Sequence, residues 1–375
     1  MESRERRNRI SVLVIDSSIE CRDFVRKALT DLPDIELAGT APDANIGMMK
    51  LRQFKPDLVI LDVRIRDIEP AVFTERVRAE HPDLGVLISS PNDLRSAEKS
   101  IDALRCGAFD VFECPNMAVL RGLPDEEVVQ TIQRRLLPKI RIFSIVRYSQ
   151  RVRKTFEPRK EPLSASPVMA SSPLPATSQG TGNGKYKIVV VGVSTGGPEA
   201  LMQLVPRIPR TFPVPVLVTL HMPQMFTAPM AVALDKLSQV TVTEARNGRL
   251  AEPGNVYLAP GGKHLQVKRA NGLPVLIVGD MNPVKGCKPS VDVLFTSAAK
   301  IFTTDAIGVM LTGMGDDGVD GMKLMKQRGA TTIAQDENSS LVWGMPGNAV
   351  RAGCVDEVLS LDALPARLLQ LVGIS

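Results

Sequence analysis

A chain of 375 residues is too long for one ordinary domain, and a composition of 44% hydrophobic and 23% charged residues indicates a folded globular protein. The net charge of +5 at pH 7 is small, and the basic clusters lack interleaved aromatic residues, so the sequence disfavours nucleic-acid binding. No apolar run reaches the ~18 residues of a membrane span and the N-terminus lacks a secretory signal, so we expect a cytoplasmic protein without membrane insertion.

The first half of the chain alternates apolar strand-like runs with helical patterns. In the first helical pattern, Val25, Leu29 and Leu32 recur at one-face spacing. Five strands are predicted, at residues 10–15, 35–38, 58–62, 86–89 and 111–112. Five strand–helix units predict a flavodoxin-like α/β domain with a five-stranded parallel sheet, which we place at residues 8–136.

A change of composition separates the two halves. A helical pattern at 126–139 leads into a stretch, from about Tyr148 to Gly184, in which Pro, Ser, Thr, Gly and Lys dominate. Its apolar surface is too small to offset the entropy lost on ordering. We therefore predict a helical tail followed by a mobile Pro/Ser/Gly-rich linker at residues 137–185.

The second half is again of α/β type. Eight strands are predicted, at residues 188–193, 214–221, 240–244, 256–259, 265–268, 275–278, 307–311 and 331–334. Four helices are predicted, at residues 198–205, 291–302, 318–327 and 364–372. This alternation of strands and helices predicts a doubly wound α/β domain with a mainly parallel sheet at residues 186–375.

Ser194 is the first candidate for chemistry. It stands between the buried run 188–193 and a predicted helix start, and Gly196 and Gly197 follow it. Reactive groups collect at the carboxyl edge of parallel sheets, and glycines let a substrate approach the backbone closely. Ser194 is therefore a candidate nucleophile; the alternative is a helix cap that binds an anion passively.

Two histidines of the second half are candidates for the base. His221 ends the apolar run 216–220, which would bring it to the same sheet edge as Ser194. Its alternative is a hydrogen-bonded core histidine, and its position at a strand end favours the functional interpretation. His264 follows two glycines in a hairpin-like turn; we interpret it as a surface residue, with substrate contact as the alternative.

A glycine-rich loop at 313–318 carries two adjacent acids, Asp316 and Asp317. A carboxylate here could orient His221 and stabilise its imidazolium, while the second acid caps the following helix. Sequence spacing does not choose between the two acids. Backbone amides of either glycine-rich loop could form an oxyanion hole.

Two rival functions remain open at this point. The loop from Gly313 to Gly318 also fits the dinucleotide-binding pattern, with Asp336 downstream, which would make the protein a nucleotide-dependent enzyme. Two carboxylates against a pyrophosphate count against that alternative, because no Lys or Arg in the loop offsets them. The second rival is a non-catalytic binding module.

The five cysteines lack metal-site spacing, which disfavours disulfides and a zinc site.

Three motifs together resemble the chemotaxis receptor protein-glutamate methylesterases: Ser194-Thr-Gly-Gly197, His221-Met-Pro223 and Thr312-Gly-Met-Gly-Asp-Asp317-Gly318. Further stretches agree, at 257–261, 289–295 and 344–346. The resemblance implies an N-terminal response-regulator receiver and a serine hydrolase that demethylates glutamate esters on chemoreceptor helices, with glutamine deamidation as a second activity. It assigns three catalytic roles: nucleophile to Ser194, base to His221 and orienter to Asp317.

The resemblance also assigns residues outside the triad. Thr195 and Met314 match positions that help form the oxyanion site. In the receiver, Asp16 matches an acid-pocket position, Asp62 the phosphoacceptor and Ser89 the switch residue. Catalysis is expected to need no cofactor and no metal in the catalytic domain.

The receiver departs from its family pattern at several positions. Ser17 stands where a second acid is usual and could cap the first helix, and Cys114 replaces a lysine. The run 63–66, Val-Arg-Ile-Arg, replaces the usual signals after the phosphoacceptor. We therefore expect a phosphorylation-deficient receiver, which would bind Mg²⁺ only if Asp62 is phosphorylated. A sensor histidine kinase is a candidate partner.

Overall fold

The protein is built around two parallel sheets, one in each half of the chain. The computed structural model describes residues 9–115, 117–120, 122–156 and 186–374. The linker predicted up to residue 185 therefore lies largely outside the described residues. None of the described helices combines the length and the apolar character needed to cross a bilayer.

The first sheet has five parallel strands in the order β2-β1-β3-β4-β5. The strands are β1 (Ile10–Ile15), β2 (Ile35–Ala41), β3 (Leu58–Asp62), β4 (Gly85–Ser90) and β5 (Asp110–Glu113). The central strand β3 is buried throughout because helices cover both faces of the sheet. The predicted five-stranded parallel sheet is confirmed, and its strands differ from the predicted bounds by three residues at most.

Six helices accompany this sheet among the residues that the structure describes. They are α1 (Ile19–Leu29), α2 (Ala44–Phe54), α3 (Pro70–Glu80), α4 (Leu94–Arg105), α5 (Met117–Leu120) and α6 (Asp125–Phe156). Asp43 and Asp93 cap α2 and α4 by accepting hydrogen bonds from backbone N–H groups of the first turn. Ser18, not Ser17, caps α1, so the expected capping role of Ser17 is wrong.

Helix α6 extends well past the predicted end at residue 139. Pro138 lies inside this helix, where a proline destabilises the helix by about 3 kcal/mol. In the sequence it therefore suggests that the helix ends nearby. The apolar stripe nevertheless continues, because Ile132, Leu136, Ile140 and Phe143 are all buried in the core of the first sheet. Burial of this stripe outweighs the cost of the proline.

The second sheet has seven strands, all parallel, in the order β14-β13-β12-β6-β7-β9-β8. Its strands are β6 (Ile188–Val193), β7 (Val216–Leu220), β8 (Thr241–Glu244), β9 (Asn255–Leu258), β12 (Ala306–Met310), β13 (Thr331–Gln335) and β14 (Glu357–Leu359). A separate antiparallel ribbon joins β10 (His264–Ala270) to β11 (Leu273–Gly279). The predicted mainly parallel, doubly wound sheet is confirmed.

The helices of the second half are α7 (Gly197–Leu204), α8 (Gln224–Leu237), α9 (Val291–Phe302), α10 (Val319–Gln327), α11 (Met345–Arg351) and α12 (Leu364–Leu371). Helix α4 of the first half packs against α7 and α8. The chain connections run outward in both directions from β6, so the sheet changes its winding direction between β6 and β12. Ligand sites of open α/β sheets lie at the carboxyl ends of strands at such a switch point.

Candidate active site

Strands β6 and β7 bring Ser194 and His221 to neighbouring positions at the carboxyl edge of the second sheet. Val193 is in register with Leu220, so the next residue of each strand is one of the two candidates. The His221 backbone N–H donates to the Val193 carbonyl oxygen at 3.1 Å. This register confirms the prediction that Ser194 and His221 lie at the same edge of the sheet.

The glycine-rich loop after β12 approaches Ser194 closely. The Ser194 backbone N–H donates to the Thr312 carbonyl oxygen at 3.0 Å. A Cβ atom placed on Gly313 would lie 2.8 Å from the Ser194 Cβ and 2.4 Å from the Met345 sulfur, so only glycine fits there. The two glycine-rich loops therefore meet at the switch point, with Ser194 between them.

His221 is held by a carboxylate on one ring nitrogen. Its Nε2 donates to Asp317 Oδ2 at 2.7 Å, so Nδ1, which lies 3.8 Å from the Cys287 sulfur, is the nitrogen that can accept a proton. Burial alone would lower the pKa of His221, but hydrogen bonds with Asp317 and with Cys287 outweigh it and raise that pKa to about 9. The imidazolium form is thus stabilised, as a general base requires after it has taken a proton.

Asp317 is anchored at the start of helix α9. Its Oδ1 accepts from Ser290 Oγ at 2.7 Å and from the Asp292 N–H at 3.1 Å, and its Oδ2 also accepts from the Val291 N–H at 2.7 Å. Burial would raise the pKa of Asp317, but the hydrogen bonds from His221 and Ser290 hold it below its ordinary value. The carboxylate therefore stays ionised and fixed in orientation.

The fold distinguishes the two adjacent acids that sequence spacing left equivalent. The Asp317 side chain is 3% exposed and contacts His221, whereas the Asp316 side chain is 65% exposed and pairs with Lys285 Nζ at 3.6 Å. The expectation that the second acid caps the following helix is wrong. Gly318, with φ of 96°, is the N-cap of α10 and receives no side-chain cap.

Thr195 and Met314 lie on the two loops that flank Ser194. Thr195 is buried directly after Ser194, and its carbonyl oxygen accepts from Thr312 Oγ1 at 3.0 Å. Met314 is 48% exposed on the loop after β12, directly after Gly313, which approaches Ser194. Their placement is compatible with an oxyanion site, and that role stays a prediction.

His264 does not lie on the surface, so that expectation is wrong. It is fully buried as the first residue of β10. Its Nδ1 accepts from the Ser290 N–H at 3.2 Å, and its Nε2 donates to the Asn282 carbonyl oxygen at 3.0 Å. Because Ser290 also bonds Asp317, His264 supports the segment that orients the Asp317 carboxylate.

Two contacts at the site were not predicted from sequence. Ser290 donates to Asp317, and the Cys287 sulfur lies 3.8 Å from His221 Nδ1. Ser290 lies in the stretch 289–295 that supports the family resemblance, and Cys287 lies just before it, but neither residue was assigned a role from sequence. A second signal was the predicted start of that helix, because a helix N-terminus attracts a carboxylate.

The carboxyl edge of the first sheet holds the receiver candidates. Asp62, at the end of β3, is in register with Ser89 on β4, and both are buried. Arg64 donates to Asp62 Oδ1 from its backbone N–H at 3.2 Å and from Nε at 3.0 Å. Asp62 Oδ2 is buried and lacks a hydrogen-bond partner among the described residues.

Asp16 lies beside this pair. Burial, together with the negative charge of Asp62, raises the pKa of Asp16 to about 8. Cys114 is buried directly after β5, with its sulfur 3.9 Å from that of Cys21 on α1. This edge of the first sheet therefore brings together two carboxylates, one guanidinium and two thiols.

Comparison with known proteins gives matches for both halves. Residues 189–368 match the family model described as CheB methylesterase, and residues 12–120 match the model described as response regulator receiver domain. The two models cover the two sheets described above.

Individual proteins match over nearly the whole chain. A protein-glutamate methylesterase/protein-glutamine glutaminase of Trichodesmium erythraeum is 34% identical over 96% of this chain and 99% of its own length. A protein of the same description from Anaeromyxobacter dehalogenans is 39% identical over 96% of this chain and 98% of its own length. The crystal structure of the Thermotoga maritima CheB methylesterase catalytic domain is 41% identical, with a TM-score of 0.49, over 50% of this chain and 99% of that chain.

Proposed function

The chain belongs to the CheB methylesterase family, with a receiver domain in its first half, and we propose that it removes methyl esters from glutamate side chains of chemoreceptor helices. We propose that it acts in the cytoplasm, on the cytoplasmic helices of those receptors. One observation supports the chemistry most strongly: the hydrogen bond from His221 Nε2 to Asp317 Oδ2, one strand away from Ser194.

The proposed reaction begins at His221 Nδ1, the ring nitrogen that Asp317 leaves free. His221 takes the hydroxyl proton of Ser194, and the Ser194 oxygen attacks the ester carbonyl. Backbone N–H groups of the two glycine-rich loops stabilise the oxyanion, with Thr195 and Met314 at its rim. The imidazolium then gives its proton to the leaving methoxide, and methanol departs.

Water completes the cycle. His221 deprotonates a water molecule that attacks the acyl-enzyme, and the glutamate carboxylate leaves as Ser194 recovers its proton. The same steps act on a glutamine side chain, with ammonia in place of methanol. The relatives are named for both activities, and we propose both for this chain.

The glycine-rich loop after β12 gives little support to a nucleotide-dependent function. Asp317, which that function would aim at a pyrophosphate, is already bound by His221, Ser290 and two backbone N–H groups of α9. The family relationship does not favour that alternative or a non-catalytic binding module. We propose that hydrolysis uses no cofactor.

We also infer that the receiver is phosphorylation-deficient. Receiver phosphorylation needs a divalent cation held by carboxylate oxygens beside the acceptor. The residues present fit such a cation poorly, because Arg64 already pairs with Asp62 and exposed Ser17 stands in the place of the second acid. A sensor histidine kinase is a partner only if Asp62 accepts phosphate in spite of this.

The function is tested by methanol release from a methylated chemoreceptor fragment. The native chain should release methanol and the Ser194→Ala variant should not. Calorimetry with NAD and with ATP tests the nucleotide alternative in parallel. Binding of either nucleotide at the loop, together with no methanol release, would contradict the proposed function.

A further inference from the structure

A thiol faces the ring nitrogen of His221 that Asp317 leaves free. The Cys287 sulfur is 3.8 Å from His221 Nδ1, although the two residues are 66 positions apart in the chain. Two backbone hydrogen bonds with Val284 fix Cys287, at 2.8 and 3.1 Å. The thiol is half-buried, so solvent reaches it.

The separation of these two atoms suits a shared tetrahedral metal ion. Zinc binds imidazole nitrogen at about 2.0–2.1 Å and cysteine sulfur at about 2.3 Å, so two ligands of one tetrahedral ion lie about 3.6 Å apart. The observed 3.8 Å differs from that value by a few tenths of an ångström. Among the described residues, His221, Cys287 and Asp317 bring their ligand atoms within 4.8 Å of one another.

Asp317 completes the arrangement without touching the metal. Zinc-binding histidines usually donate their second ring N–H to a carboxylate, which fixes the tautomer and raises the basicity of the binding nitrogen. His221 Nε2 donates to Asp317 in this way. The thiolate and the Asp317 carboxylate would together balance the charge of one Zn²⁺, because the nearby Lys285 pairs with Asp292, Asp316 and Asp320 instead.

We propose that Cys287 Sγ and His221 Nδ1 form an inhibitory zinc site in the active centre. On binding, the Cys287 thiol releases its proton to water, and zinc takes the Nδ1 lone pair that would accept the Ser194 proton. Water fills the remaining positions of the ion. Inhibition rests on the proposed function, because it requires His221 to be the base; binding does not.

Zinc is favoured over other cations by the donor set. Thiolate and imidazole suit zinc, whereas Mg²⁺ and Ca²⁺ prefer carboxylate and carbonyl oxygens. Sequence spacing disfavoured a zinc site because the two donors belong to separate segments, after β7 and before α9. The metal-free reaction proposed above is unchanged, since zinc acts here only as an inhibitor.

Activity measurements test the inhibitory role. Ester hydrolysis by the full chain is followed at chelator-buffered free Zn²⁺, with Mg²⁺ as the comparison cation. We expect inhibition by Zn²⁺ alone, reversed by excess chelator. Cys287→Ser should raise the inhibitory zinc concentration by at least about 10-fold, because loss even of an outer-shell partner costs a metal site about 10- to 100-fold in affinity and Cys287 binds the ion directly. Each variant is compared with its own zinc-free rate. Cys106→Ser, which changes another half-buried thiol, should leave the zinc response as it is.

Spectroscopy tests the site without any reaction. Co²⁺ added to the metal-free chain should produce a thiolate charge-transfer absorption that Cys287→Ser and His221→Ala each remove and that Cys106→Ser and Ser194→Ala retain. This absorption in a chain that hydrolyses no ester would refute the hydrolase function and leave the metal site standing. An active esterase with the same zinc response and the same Co²⁺ spectrum in Cys287→Ser would overturn the zinc site alone.

Discussion

Two buried carboxylates, Asp317 and Asp62, occupy comparable places at the carboxyl edges of the two sheets, and their surroundings differ sharply. Asp317 accepts four hydrogen bonds, two of them from backbone N–H groups at the start of α9. Asp62 accepts two, both from Arg64 and both at Oδ1, while its Oδ2 is buried without a partner among the described residues.

The difference shows what each carboxylate is placed to do. A buried carboxylate is costly unless hydrogen bonds compensate for its lost hydration. Asp317 is compensated on both oxygens and still reaches an imidazole, which suits a permanent anion that stabilises His221. At Asp62, hydrogen bonds compensate for lost hydration at Oδ1 only, and the positive charge beside it is the Arg64 guanidinium. We therefore expect substitutions at the first site to abolish hydrolysis and substitutions at the second to change it little.

The largest expected effect is the loss of the nucleophile or the base. Ser194→Ala and His221→Ala should each lower kcat by about 10⁴- to 10⁶-fold, and the double variant should be hardly worse, because triad members act as a unit. Rates of methyl ester hydrolysis measure this, with circular dichroism as the control for folding. Additive losses in the double variant would show that the two residues act independently.

The next largest effect is expected when the Asp317 carboxylate is replaced by an amide. Asp317→Asn should lower kcat by about 10⁴-fold, because the amide cannot stabilise the imidazolium or hold the same tautomer. Asp316→Asn is the matched control, and its rate should stay within a few-fold of the native rate because that side chain is exposed. Equal losses in the two variants would contradict the assignment of Asp317.

Removal of one donor from Asp317 should have an intermediate effect. Ser290→Ala deletes the 2.7 Å hydrogen bond to Oδ1 and leaves the two backbone donors in place. A hydrogen bond to a charged group is worth about 1.5–3 kcal/mol, so we expect a 10- to 100-fold loss in kcat. Ser290→Thr should restore most of the rate. An unchanged kcat in Ser290→Ala would show that the hydroxyl does not act through Asp317.

The pH profile should report the raised pKa of His221. Because the base must be neutral, kcat/KM should rise with pH up to about 9 and fall tenfold per unit below it. Cys287→Ala should move this acidic limb to lower pH, since the contact with Cys287 is one cause of the raised pKa. An acidic limb at the ordinary histidine value in the native chain would contradict the described environment of His221.

The smallest effects are expected at the receiver. Incubation with Mg²⁺ and acetyl phosphate should leave the intact mass unchanged, because Arg64 pairs with Asp62 and Ser17 offers no carboxylate. Asp62→Asn should leave ester hydrolysis within a few-fold of the native rate. A stoichiometric phosphate adduct that is absent in Asp62→Asn and accelerates hydrolysis would contradict the inference that the receiver is phosphorylation-deficient.

The sequence pattern was sufficient to predict the two parallel sheets, because strand periodicity and glycine-rich turns are local signals. The bounds of β6 and α9 match their predictions residue for residue. Helix α8 was missed because Pro229 interrupts its pattern, and strand β14 because it has only three residues and depends on pairing with β13. The full length of α6 was hidden by Pro138, since the gain from packing against the first sheet is not a local property.

The site was predictable where strand ends carry reactive side chains, as at Ser194 and His221. The choice between Asp316 and Asp317 was not available from spacing, because it depends on which carboxylate meets the start of α9. The burial of His264 and the approach of Cys287 to His221 are likewise tertiary facts. Local sequence does not show which turn of a chain is covered by another segment.

Labelling with a fluorophosphonate tests whether Ser194 is an activated nucleophile, because the reagent reacts with a serine that a neighbouring base has activated. We expect one adduct per chain, mapped by peptide mass to Ser194 and lost in Ser194→Ala. Its formation should be slowed by orders of magnitude in His221→Ala and Asp317→Asn but not in Asp316→Asn. Undiminished labelling of Ser194→Ala, or an adduct mapped to another residue, would contradict the assignment of Ser194 as the nucleophile.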